Sequence, residues 1–356
     1  MSGKNIFRTL VMVCAIAVLY ALSSCGNGNG DYSDYHPDND YAHMEGIEGT
    51  TLVIYSTLAS SFTTPIINMF EERYGVTVEL YQSSTAQTLA RLHAESANPH
   101  ADIMLGGNIF ALTPHLELFE EFTSVNEAYM LPGHANSEGN ITRLTTAGGV
   151  IIVNTSLAAG IEIRGYECLL NPALYGQIAI AYPSAAPLSF MHLVNQLYAM
   201  GSGNPHAGWE YVEQFIINTG GIILQNLDEV HTGVSGGDFI VGLTYDEAFF
   251  AYAETAPHVE MIYMYEGMVS APTGISIVSG AVNREAAAVF INFITSYEIQ
   301  AYMQANLHKR AAHSGVTADI PALNPAPDWL PANTAYILEH LNPWIEQFWD
   351  LWMAHN

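Results

Sequence analysis

Three short stretches place hydroxyls, small residues and backbone N–H groups where strands give way to helices: Ser56-Thr57, Ser83-Ser84-Thr85 and Gly106-Gly107-Asn108. In an open parallel sheet, ligands settle beyond the carboxyl ends of the strands. A helix start at such an edge offers N–H donors without partners and the positive end of a dipole, which favour an anion. Ser56, Thr57, Ser84, Thr85, Gly107 and Asn108 are therefore candidate contacts in one wall of a site. Plainer roles stand beside these. Ser84, three residues before Gln87, has capping-box spacing and is equally an N-cap. Gly106-Gly107-Asn108 is equally a plain turn. Arg143 could reach a phosphate, though it reads first as a surface arginine.

The elements that must carry these residues are legible in the apolar pattern. Leu52–Tyr55 reads as a buried strand and Pro65–Tyr74 as a helix with Ile66, Met69, Phe70 and Tyr74 on one face. Val76–Tyr81 alternates as a strand. Ser84 opens a helix that runs through Leu89 and Leu92 to Glu95, and Asp102–Leu105 is a strand stopped by Gly106-Gly107. This β-α-β-α-β order predicts a parallel, doubly wound sheet. A second α/β unit follows the strand Gly149–Asn154. It holds strands at Ile178–Tyr182, Phe239–Leu243 and Val259–Tyr263, and helices at Leu188–Met200 and Trp209–Ile217. Ile275–Val278 and the helices Arg284–Thr295 and Tyr297–Leu307 read as a return to the first unit. The tail, Ala332–Asn356, carries two aromatic-rich amphipathic segments with Trp344, Phe348 and Trp352.

The first 25 residues carry a different chemistry. Lys4 and Arg8 precede an apolar run from Leu10 to Ala21, too short for a stable membrane anchor, which ends in Leu22-Ser23-Ser24-Cys25. The ending resembles the bacterial lipobox. It implies a signal peptide over 1–24, cleavage before Cys25 and acylation of that residue, with the protein held outside the cytoplasm at a membrane. Residues 25–50, rich in Gly, Asn and Asp, read as a flexible stalk.

Composition narrows the classes further. Apolar residues make up 49% of the chain, enough for a large core. Of three cysteines, Cys14 leaves with the signal and Cys25 takes lipid, so Cys168 has no partner and is expected to be a buried apolar residue. Nine Lys plus Arg stand against 35 Asp plus Glu, and no basic face can be built for nucleic acid. There is no nucleophile elbow, P-loop or zinc motif, and His192, His231 and His258 lack ligand spacing, so an enzyme such as a secreted hydrolase is disfavoured.

From Thr51 to Val316 the chain resembles the ferric-iron, thiamine, phosphonate and sugar-phosphate binding family of ABC-transporter solute-binding proteins. The resemblance rests on the order of Leu52–Thr57, Phe70–Gly75, Ala94–Asp102, Ile178–Pro183, Val241–Asp246, Glu266–Pro272 and Arg284–Gln300. It implies a type 2 periplasmic-binding-protein fold: α/β, two-lobed, each lobe a mixed, mainly parallel sheet flanked by helices, with a hinge between lobes. Lobe 1 would be 50–152 plus 268–356, and lobe 2 would be 153–267. The implied partners are a small-molecule solute and an ABC permease with its ATPase, and the binder itself is expected to be a monomer without a cofactor.

The resemblance also implies a second wall of the cleft. It would take in Tyr182, Ser184 and Ser189 at one strand-to-helix junction, His231, and Tyr245 with Asp246 and Glu247 after the Val241 strand. His231 is equally a core or surface histidine, and Asp246 equally a helix N-cap. Ferric-iron binders of the family usually present two adjacent tyrosines after that strand. Here the positions read Thr244 to Phe250 with Tyr245 alone, so no metal set is assigned beyond Tyr245, and Fe3+ as transported ligand ranks second. A sugar phosphate or phosphonate ranks first, with Asp246 accepting sugar hydroxyls. A thiamine-like cation held between Tyr182 or Tyr245 and a carboxylate ranks third.

Overall fold

The computed structural model describes residues 46–131, 133–185, 187–253, 255–316 and 328–356. The expected signal peptide and Cys25 lie outside the described residues. The stalk expected over 25–50 ends earlier than that, because Ile47 is already buried in the core and Gly49 donates to the Gly75 carbonyl.

The first sheet begins with β1 (Thr51–Ser56), whose residues after Thr51 are all buried. Helix α1 (Ser60–Tyr74) returns the chain to its parallel neighbour β2 (Thr77–Gln82). The helix starts five residues before the expected Pro65, which it tolerates near its first turns. It stops at Gly75, whose φ of 63° is left-handed and open to glycine at little cost. Helix α2 (Thr85–Glu95) leads to β3 (Ile103–Asn108), parallel to β1 on its other side. β3 runs through Gly106-Gly107 rather than stopping there. Both glycines hold positive φ, and the antiparallel partner strand takes a register shift opposite them. A short helix α3 (Ile109–Leu112) and the 3-10 segment Thr113–Leu118 follow.

The chain crosses to the second lobe from β4 (Thr142–Ala147) directly into β5 (Gly149–Asn154). Strand β4 was not expected: Thr142, Arg143, Thr145 and Thr146 give no apolar alternation, yet all are buried between neighbours. The second lobe comprises β6 (Ile178–Ala179), α4 (Pro187–Met200), α5 (Trp209–Asn218), α6 (Leu227–Gly236), β7 (Val241–Tyr245), α7 (Asp246–Ala253) and β8 (Val259–Ile262). Its sheet order is β6-β7-β5-β8. The return passes through β9 (Met268–Val269) into β10 (Ala271–Ile277), then α8 (Arg284–Thr295), α9 (Tyr297–Leu307) and β11 (Arg310–Ala311). The first sheet is thereby completed in the order β11-β4-β10-β3-β1-β2.

Both sheets are mixed. Within these two sheets the parallel ladders are β1–β2, β1–β3 and β6–β7 and the rest are antiparallel, so the sheets are not mainly parallel as expected: the crossover strands enter each sheet from the opposite lobe and pair antiparallel. Phe70, Phe290 and Phe293 fasten α1 to α8 over one face of the first sheet, with ring centroids 4.9 and 5.3 Å from Phe70. After β12 (Trp329–Leu330), which pairs with β9, the tail forms a single helix α10 (Thr334–His355) with Pro343 inside it. The expected placement of the whole segment 268–356 on lobe 1 does not hold for this helix. Its buried Trp344, Phe348 and Trp352 pack on α5, whose Tyr211, Val212, Phe215 and Ile216 form the matching apolar face in the second lobe. Cys168 is half-buried against the same core and free of disulfide.

Candidate functional site

The carboxyl ends of β1, β2 and β3 lie side by side and bring the first group of candidates together. Thr57 N–H donates to Leu105 C=O at 2.9 Å, and Ser83 N–H donates to Ser56 C=O at 3.1 Å. Gly106, with φ of 102°, sits so near that an added Cβ would overlap Thr57 Oγ1. Gly107 lies beside Thr85 in the same way.

Their side chains do not all stay available. Ser56 is buried and its Oγ accepts from Leu58 N–H at 3.1 Å. Ser84 closes a full capping box with Gln87, so the start of α2 is satisfied by its own side chains. Asn108 caps α3 by accepting from Ala111 N–H at 3.0 Å. The start of α1 differs. Its N-cap is Ala59, which offers no side-chain acceptor, its first turn holds no acid, and Ser60 and Ser61 are exposed. The helix field that an anion would use is thus open at α1 and internally closed at α2. Thr57 and Thr85, both half-buried, border that opening.

In the second lobe, two buried histidines fix the end of β7. His192 Nε2 donates to Thr244 C=O, and its Nδ1 accepts from the Tyr166 hydroxyl at 3.1 Å. His231 Nε2 meets Thr244 Oγ1 at 2.8 Å, and its ring stacks on Tyr252 at 4.6 Å. Burial lowers both imidazoles to about 4 and keeps them neutral. His231 is therefore buried and held by Thr244 and Tyr252. Ser184 lies exposed in a turn. Ser189 is buried beside a cavity lined by His192, Gln196 and Phe348, within the second lobe. Tyr245 is half-buried, and its phenol is pushed up to about 12 by burial and by Glu247.

Asp246 is committed inward. Only 1% of it is exposed. Oδ1 accepts from Gly148 N–H at 3.0 Å and from Glu247 N–H at 2.9 Å, and Oδ2 accepts from the Tyr263 hydroxyl at 2.8 Å. Burial and the charge of Glu247 raise its carboxyl to about 6, against the pull of Arg310. It holds the crossover at Gly148, and both its oxygens accept hydrogen bonds from the protein. Arg143 is likewise buried, bonded to Glu138 at 2.5 Å and to Ile141 C=O at 2.6 Å. It is not a surface residue.

The cations at the seam are instead Lys309 and Arg310, which sequence reasoning missed. β11 sets Arg310 on the edge of the first sheet with Lys309 just before it, and the two pair with Asp246 and Glu247 at the start of α7 in the second lobe. Lys309 Nζ pairs with Glu247 and lies 5.4 Å from the ring of Phe62, in the first turn of α1. Arg310 donates to Tyr263 at 2.9 Å. A signal existed: two of only nine basic residues are adjacent here. Each of the seven described Lys and Arg side chains is paired with a carboxylate, yet only these two are paired across the lobes, and Lys309 is the one beside the open helix start.

With this geometry in place, similarity to known proteins is informative. Residues 66–326 match the family of bacterial extracellular solute-binding proteins. The iron uptake protein A1 of Synechocystis is 24% identical over 307 residues, covering 83% of this chain and 82% of its own. The periplasmic binding protein AfuA from Actinobacillus pleuropneumoniae, solved with fructose-6-phosphate, superposes with a TM-score of 0.71 at 20% identity, covering 85% of this chain and 98% of that one. Iron-bound HitA from Pseudomonas aeruginosa gives 0.69 at 17% identity, covering 85% and 99%.

Proposed function

The chain belongs to the bacterial extracellular solute-binding proteins, and from that premise we propose that it serves an ABC importer by capturing a small phosphorylated or phosphonate solute between its lobes. Its role is binding and delivery to the permease and ATPase, not catalysis. The observation that carries the solute class is the placement of Lys309 beside the uncapped start of α1, with Arg310 next to it in the chain. A phosphate there would take charge-assisted bonds from Lys309 and N–H donors from Ser60 and Ser61, with Thr57 and Thr85 at the rim. Glu247 occupies Lys309 in this structure, so the solute would enter by replacing one carboxylate with another anion. Cys25 would hold the mature protein to the membrane by its lipid.

Ferric iron is the second reading, favoured by what the Synechocystis and Pseudomonas proteins are named for. The phenols near the seam fit it less well. Tyr245 has no adjacent tyrosine, Tyr252 is stacked on His231 and bonded to Asp228, and Tyr263 is held by Asp246 and Arg310. Native mass spectrometry of protein purified from its own host tests the proposal. A co-purifying phosphorylated or phosphonate compound supports it, and co-purifying iron in its place refutes it.

A further inference from the structure

We propose that His93, His115 and Glu117 form a site for a divalent transition-metal cation of the zinc class on the flank of the first lobe, separate from the seam. His93 stands near the end of α2, and His115 and Glu117 lie in the 3-10 segment Thr113–Leu118. Inside that segment the backbone at His115 leaves helical geometry, with φ of −129° and ψ of 32°. His93 Nε2 is 2.9 Å from His115 Nδ1 and 4.0 Å from Glu117 Oε1, and the three ligand atoms all lie within 4.8 Å of one another. Among the described residues this is the one such grouping of His, Cys, Asp and Glu.

A tetrahedral zinc with bonds near 2.0–2.1 Å places its ligand atoms about 3.3 Å apart. The two nitrogens would part by about 0.4 Å and the carboxylate would approach by about 0.7 Å. Glu117 keeps 65% of its side chain exposed and has room for that motion. Without metal, the two rings share one proton, one nitrogen donating to the other. A cation takes the place of that proton and gains the carboxylate as third ligand, leaving a fourth position for water. Calcium and magnesium prefer all-oxygen sets, whereas two imidazoles select zinc, copper or nickel. The formal charge of −26 draws cations to the surface. The eight residues from Thr85 to His93 put about 12 Å of helix rise between this site and the strand ends. Sequence spacing gave no sign of it, since 22 residues separate the histidines.

The test uses the untagged full chain, titrated with zinc chloride by calorimetry and followed by thermal unfolding. One zinc should bind, the unfolding midpoint should rise by a few degrees, and affinity should fall at least about 10-fold in His93→Gln and in His115→Gln. Tetrahedral cobalt bands should appear with the native chain and be absent from His93→Gln. Both variants change exposed or half-exposed rings, and an unchanged metal-free midpoint shows that they fold. Equal zinc affinity in the native chain and both variants overturns the proposal, as does a native midpoint that zinc does not move.

Discussion

Arg310 Nη2 stands 3.7 Å from Asp246 Oδ2, and the Tyr263 hydroxyl bridges them, accepting from Arg310 and donating to Asp246. Arg310 belongs to the edge strand of the first sheet, and Asp246 starts the helix that follows β7 in the second. The relation makes Asp246 a fastening between lobes, and that changes what its substitution should do.

Burial first, then Glu247, raises the Asp246 carboxyl from 3.8 to about 6. A folded value above the unfolded one means that the protonated form stabilises. That contribution is complete below about pH 3.8 and is lost as pH rises through about 6. Two units correspond to roughly 3 kcal/mol. Urea unfolding should therefore show Asp246→Asn gaining on the native protein between pH 4 and pH 7. A stability difference that stays constant over that range contradicts the assignment.

Glu247 and Lys309 should act on solute affinity with opposite signs. Lys309→Gln removes a charged donor worth about 1.5–3 kcal/mol, so a phosphorylated solute should bind roughly 10-fold to 100-fold more weakly. Glu247→Gln removes the competing carboxylate, so the same solute should bind more tightly. Titration calorimetry of the two variants reads both effects. A loss of affinity in each would place Glu247 among the solute contacts instead.

These residues also mark where sequence reading succeeds and stops. The capping box at Ser84 and Gln87 was legible because both partners lie within one helical turn. The strands β1 and β5 were legible because their apolar runs are buried on both faces. Asp246 was found at the right junction, but its bonds to the crossover were not legible, because Gly148 lies 98 residues away and Arg310 comes from the other sheet. Arg143 was misread for the same kind of reason: β4 has no apolar period, so nothing local announced that its arginine would be enclosed. The terminal helix read as two segments because Pro343 interrupts the pattern. Its docking on α5 depends on an aromatic face that only the fold assembles.

Replacing Cys25 with Ser should release the protein from the membrane. The proposed tether is the lipid on Cys25, which the lipobox-like Leu22-Ser23-Ser24-Cys25 supports. Cell fractionation followed by immunoblotting checks this, and retention of the variant in the membrane fraction contradicts the lipid assignment.

If a solute displaces Glu247 from Lys309 across the seam, as proposed, the lobes should move against each other. Small-angle scattering at saturating solute, with binding established by calorimetry, should give a radius of gyration different from that of the free protein. Identical profiles would mean that the solute enters without displacing the lobes.

The most direct test of the central claim is calorimetric titration of the purified chain with sugar phosphates, phosphonates, thiamine and ferric iron in parallel. At least one phosphorylated or phosphonate compound should bind tightly, and Lys309→Gln should weaken that binding. Tight ferric binding with a phenolate charge-transfer band, and no response to any phosphorylated or phosphonate compound, would contradict it.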